Sequence, residues 1–72
     1  MAILKVLELM ANSTKSWEDA VQQSIIKASK TLHNIRSVYI QDQSAKVKDN
    51  KIVEYRVTVK LTFEVDSTET KS

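Results

Sequence analysis

Ile52-Val53-Glu54-Tyr55-Arg56-Val57-Thr58-Val59-Lys60-Leu61-Thr62-Phe63-Glu64-Val65 alternates apolar and polar residues along almost its whole length. Successive strand side chains point to opposite faces. Val53, Tyr55, Val57, Val59, Leu61, Phe63 and Val65 therefore form one apolar face, and Glu54, Arg56, Thr58, Lys60, Thr62 and Glu64 form a polar one. The apolar face needs a covering layer. A single helical stripe supplies it: Trp17, Ala20, Val21, Ser24, Ile25, Ala28, Leu32 and Ile35 recur at helical spacing. The polar face is left for function or for another copy of the chain.

Reading backwards from this strand, placed at 51–65, Asp49-Asn50 closes a hairpin, because Asn and Asp tolerate positive φ best after Gly and the chain has no Gly. The preceding strand is expected over 37–48. Val38 and Ile40 share one phase, whereas Ala45 and Val47 take the other, so a β-bulge or bend is expected between Gln41 and Ser44. A helix is predicted over 16–34. Ser16 stands as N-cap with Asp19 three residues on, a capping-box variant, and Glu18 and Asp19 lie at the positive end of the dipole. Lys27, Lys30, His33 and Arg36 gather towards the opposite end, with Asn34 as a left-handed C-cap. Ile3 to Met10 forms the first strand (3–10), Ala11 to Lys15 a polar turn, and 66–72 a polar, frayed tail. The fold class is α+β. Residues 1–72 are read as one β-α-β-β domain, a three-stranded antiparallel sheet curled around one helix.

Composition removes several functions. Without Cys there are no disulfides, no Cys metal sites and no Cys nucleophile, and a cytoplasmic location is the expectation. Ala2 to Met10 is interrupted by Lys5 and Glu8 and carries no basic leader, which makes it a strand and not a signal peptide. No stretch approaches the roughly 20 apolar residues of a membrane helix. A net charge of +2, with scattered basic groups, makes no nucleic-acid-binding stripe. His33 is the only His and sits among solvated helix positions, so it reads as a helix-end cation and leaves no Ser-His-Asp arrangement. No Asp-x-Asp-x-Asp-Gly calcium loop is present, and no metal-ligating set is assigned. The chain is not read as an enzyme. At 72 residues with neither disulfide nor metal staple, it is expected to find further burial by associating with itself.

The ordered set Lys5-Val6-Leu7-Glu8-Leu9, Ser16-Trp17-Glu18-Asp19-Ala20-Val21, Ala28-Ser29-Lys30-Thr31-Leu32, Asn34-Ile35-Arg36 and Ile52-Val53-Glu54-Tyr55-Arg56-Val57, followed by Phe63, resembles the dodecins, small bacterial and archaeal proteins of this length and element order. The resemblance spans nearly the whole chain. It implies a hollow homododecamer of cubic symmetry that stores or buffers flavins, riboflavin or FMN, without turning them over. In flavin-binding members a Trp at the start of the second strand stacks on the ring system and a Gln after the third-strand Tyr bonds its edge. Here those positions are Ser37 and Arg56, while Asp42 keeps the acidic residue that follows the stacking position.

Trp17 opens the helix after its capping Ser, so it reads as a packing anchor and does not replace the missing stacking ring. Strand parity puts Ser37, Tyr39 and Gln41 on the polar face with Arg56 and Thr58, where Tyr39 either offers a ring to a ligand or packs across a subunit interface. Calcium binding is associated with part of the branch in which Tyr-Arg replaces Tyr-Gln. Two readings follow from the resemblance. One is a flavin carrier whose site at two-fold contacts is lined by Ser37, Tyr39, Gln41, Asp42 and Arg56. The other is a non-flavin shell, an assembly or calcium-type ion-binding module, in which Arg56 pairs with a carboxylate across an interface.

Overall fold

A computed structural model describes residues 3–65. Strand β1 (Leu4–Ser13) leads to helix α1 (Trp17–Ala28), then to the hairpin of β2 (Ile35–Lys48) and β3 (Lys51–Glu64). The three strands form one antiparallel sheet in the order β1-β3-β2, the β-α-β-β architecture expected from the sequence. The tail expected at 66–72 lies outside the described residues.

The alternating strand is the middle of the sheet. Val57, Val59 and Leu61 are at most 1% exposed beneath the helix, which meets them with Ala20 at 0% and Ser24 at 5%. Those two helical residues lie four apart and therefore on one face, and their small side chains let the helix sit close to the sheet. Burying each of the three large β3 side chains contributes about 1.5–3 kcal/mol. Ser24 is polar in an apolar layer, and its hydroxyl is satisfied by donating to the Val21 carbonyl at 2.6 Å. Leu9 and Ala11 of β1, Trp17, Val21, Ile25 and Ala28 of α1, and Val38 of β2 complete the core.

Ser16 caps the helix as expected, its Oγ accepting from the Asp19 amide at 2.9 Å. The Asp19 carboxylate accepts from the Ser13 hydroxyl at 2.6 Å, so this side chain clamps the end of β1 to the start of α1. That clamp explains why β1 runs to Ser13, beyond the expected limit at Met10. Ala11, Asn12 and Ser13 pair with Val57, Arg56 and Tyr55 in place of a turn.

The helix stops at Ala28 and not at 34. Ser29 donates its hydroxyl to the Ile26 carbonyl at 2.7 Å, and the chain tightens through Lys30 N–H to Lys27 O and Thr31 N–H to Ala28 O. Side-chain hydroxyls that bond the preceding turn compete with helix continuation. Asn34 is left-handed with φ 63°, as its residue type suggested, but it opens β2 and does not cap α1. Asp49 and Asn50 have φ of 54° and 65°, the pair of positive values a two-residue hairpin turn requires.

The register shift between Ile40 and Asp42 is the predicted slip, with Gln41 as the extra residue. Two further shifts fall at Ile35/Ser37 and Lys46/Val47. The second one leaves Val53 unpaired on β3. This displaces Val53 from the buried face that the alternation assigned to it, and it is 39% exposed. Beyond Tyr55 the sheet has only two strands, because β1 ends opposite that residue.

Candidate functional site

The face of the sheet turned away from α1 is built from rows of directly opposed residues. Across β1, β3 and β2 they read Val6–Thr62–Ser37, Glu8–Lys60–Tyr39, Met10–Thr58–Asp42 and Asn12–Arg56–Ser44. Opposed residues in an antiparallel pair share a face, with Cβ atoms about 4.5–5.5 Å apart.

Ser37, Tyr39, Asp42 and Arg56 all lie in this array. Gln41 does not: it is the bulge residue, and Asp42 takes the ladder place after Tyr39 that simple parity gave to Gln41. The four remaining residues are spread along the sheet. Ser37 faces Thr62, six positions along β3 from Arg56, a separation of roughly 20 Å at about 3.3 Å per residue. Asp42 and Arg56 lie in successive rows, and Tyr39 lies one row beyond Asp42. One chain therefore does not gather Ser37 and Arg56 around a single small molecule.

Ser37 Oγ and Thr62 Oγ1 share a hydrogen bond, which occupies the hydroxyl at the stacking position. Tyr39 is 65% exposed and presents an open ring. Arg56 reaches Glu54 on its own strand, with Nε and Nη2 both 3.3 Å from Oε1. Both side chains are solvated, so this pair is worth about 0–1 kcal/mol and leaves the guanidinium available. Arg36 and Glu64 pair more closely, at 2.7 Å, near the opposite end of the sheet.

Asn12 and Ser44 flank Arg56 and were not singled out from the sequence. A recess of about 260 Å³ is lined by Met10, Ala11, Asn12 and Arg56. The signal was available: extending β1 to Ser13 places Asn12 opposite Arg56.

Trp17 lies on the other face. Its Nε1–H donates to the Ser44 carbonyl at 2.8 Å, and its ring meets Tyr55 edge to face with centroids 4.8 Å apart. This is the packing anchor expected of it, and it braces the hairpin where the bulge bends β2. His33 is exposed and borders a cavity of about 470 Å³ beside Asn34 and Arg36. A larger groove of about 570 Å³ separates α1 from β1, lined by Leu7, Leu9, Met10, Ala28 and Leu32 with Lys27 at its rim.

The outer face offers a ring, hydrogen-bond donors and a carboxylate to a ligand. That set suits a planar polar molecule, with Tyr39 and not residue 37 as the available ring. Among the described residues no three His, Cys, Asp or Glu side chains cluster as metal ligands. Calcium takes about 6–8 oxygens, so Asp42, Ser44 and Glu54 of one chain do not complete its shell. No helix of the described chain is long and apolar enough to cross a membrane.

A family model described as Dodecin matches residues 3–66. The calcium dodecin of Mycobacterium tuberculosis is 25% identical over 65 residues, covering 90% of this chain and 92% of the relative. The dodecin from Streptomyces davaonensis superposes with a TM-score of 0.84 at 26% identity, covering 90% of this chain and 96% of that one. A crystal structure of the M. tuberculosis calcium dodecin, described as calcium chelating with a novel calcium-binding site, gives a TM-score of 0.77 at 23% identity, with coverages of 89% and 91%.

Proposed function

The chain belongs to the dodecin family, and from that premise we propose that it is a non-catalytic binding protein whose copies assemble into a hollow dodecamer and store a flavin, riboflavin or FMN, on the outer faces of their sheets. The observation that carries this reading is the spread of Ser37, Tyr39, Asp42 and Arg56 along one face that also exposes Leu4 at 54%, Val6 at 59% and Met10 at 79%. Residues so arranged enclose a small molecule only where a second copy covers the face, and exposed apolar groups of this size favour such a cover.

In that site Tyr39 supplies stacking surface, Arg56 donates to ligand oxygens, and Asp42 accepts from ligand hydroxyl or imide groups. The assembled contact excludes water and holds the ligand still. No nucleophile and base are paired in the array, so the role is retention. The Cys-free composition suits a reducing cytoplasm.

The test is retention of riboflavin by the purified oligomer on ultrafiltration, followed together with light scattering. Binding at micromolar protein supports the reading. An intact oligomer that retains no flavin contradicts it.

A second reading is supported by the relative named calcium dodecin and by the loss of a ring at Ser37. In it, Asp42 and Glu54 of neighbouring copies provide oxygens for calcium. Heat released on calcium titration, abolished by Asp42→Asn, distinguishes it from the flavin reading.

A further inference from the structure

The groove of about 570 Å³ between α1 and β1 lies on the helix side of the sheet, and neither the flavin nor the calcium reading uses it. We propose that this groove is a separate ligand site, one that takes an unbranched aliphatic chain ending in a carboxylate, with Lys27 as the partner of the carboxylate.

The groove is left where α1 covers β1 incompletely. Leu7 and Leu9 stand directly opposite Leu61 and Val59 and therefore share their face. Leu61 and Val59 are fully buried, whereas Leu7 is 38% exposed and Leu9 only half-buried. β1 is an outer strand, so no further strand of this chain closes the trough beyond it. Ala28 and Leu32 complete an apolar floor with the two leucines. The volume lies within the roughly 300–1,000 Å³ of small-molecule sites. Its strand wall runs from Leu7 to Asn12, roughly 17 Å at about 3.3 Å per residue, so the site is long and suits a chain that extends along it.

Charge selects the end group. Gln23, Lys27 and Thr31 follow one another at intervals of four and line the helix-side rim. Lys27 is the one charged side chain bordering the groove, and no Asp or Glu lines it. Among the described residues Lys27 enters no ion pair, in contrast to Arg36 and Arg56. An ammonium held over an apolar floor, with its stem along that floor, attracts a single anion attached to an apolar body. The Gln23 amide stands one helical turn away and offers a further donor to the same carboxylate.

The experiment titrates the intact wild-type oligomer with hexanoate, octanoate and decanoate in a calorimeter, with decanol as the uncharged match to the longest acid. Affinity is expected to rise about twofold to fourfold for each added methylene. Lys27→Gln is expected to weaken decanoate about twofold to fivefold, the range of a solvated ion pair, and to leave decanol unchanged. Leu7→Ser, at the exposed part of the floor, is expected to weaken both compounds about tenfold with unchanged circular dichroism and scattering mass. Ala28→Phe, which fills the floor, is expected to act in the same direction. Absence of decanoate binding by the wild-type oligomer overturns the proposal and means that another copy occupies the groove. Affinity independent of chain length, or decanoate binding unchanged in both Lys27→Gln and Leu7→Ser, overturns it as well. None of these outcomes bears on flavin retention, which concerns the opposite face.

Discussion

The two halves of β3 carry the same alternation and meet different fates. Val57, Val59 and Leu61 are sealed under α1, whereas Ile52 and Val53 are 49% and 39% exposed on the hairpin arm. The bulge that displaces Val53 is one cause, and length is the other. A 12-residue helix spans about 18 Å, while a 14-residue strand spans about 46 Å, so the helix covers less than half of the strand it packs on. Period-two patterning states which face wants burial; it does not state what covers it. In the near half the cover is the chain's own helix. In the proposed assembly another copy covers the far half.

The largest effect that sharpens this contrast is Leu61→Ala. It opens a cavity under the helix and is expected to remove about 2–5 kcal/mol from unfolding in urea. Ile52→Ser on the arm is expected to leave subunit secondary structure unchanged by circular dichroism and to lower the scattering mass. Similar losses of folding at both sites would erase the distinction between the halves.

Smaller effects probe how the two halves are joined. Ser16→Ala removes the cap at the start of α1 and is expected to cost about 1 kcal/mol. Trp17→Phe keeps a ring against Tyr55 but loses the donor to Ser44, which is expected to cost about 0.5–1.5 kcal/mol. It is also expected to speed amide exchange in 44–48 more than in Val57, Val59 and Leu61; uniform acceleration would mean that Trp17 does not brace the arm. The smallest effect is Arg36→Ala, about 0–1 kcal/mol and diminished by salt, because its partner Glu64 is solvated. All stabilities are to be compared at one protein concentration, since association shifts them.

The features legible in the sequence were those with local causes. The Ser16 cap, the Asp49-Asn50 turn and the bulge near Gln41 each follow from a few adjacent residues. The α1 terminus was misplaced because no Gly marks it and the signal lies in Ser29, whose hydroxyl competes for the last turn. The placement of the candidate residues on one face was legible in part. Arg56, Tyr39, Asp42 and Ser37 belong to the outer array, but Asn12 and Ser44 entered only through the pairing of strands about 44 and 12 residues apart in sequence, which no local pattern encodes. Gln41 was placed in the array because parity was carried through a bulge that breaks it.

Whether other copies cover the bare arm and outer face is decided by the mass of the purified protein in analytical ultracentrifugation. One species of about 98 kDa, twelve copies of the 8.2 kDa chain in a closed shell, is expected. A folded, monodisperse 8.2 kDa monomer at micromolar concentration would contradict it.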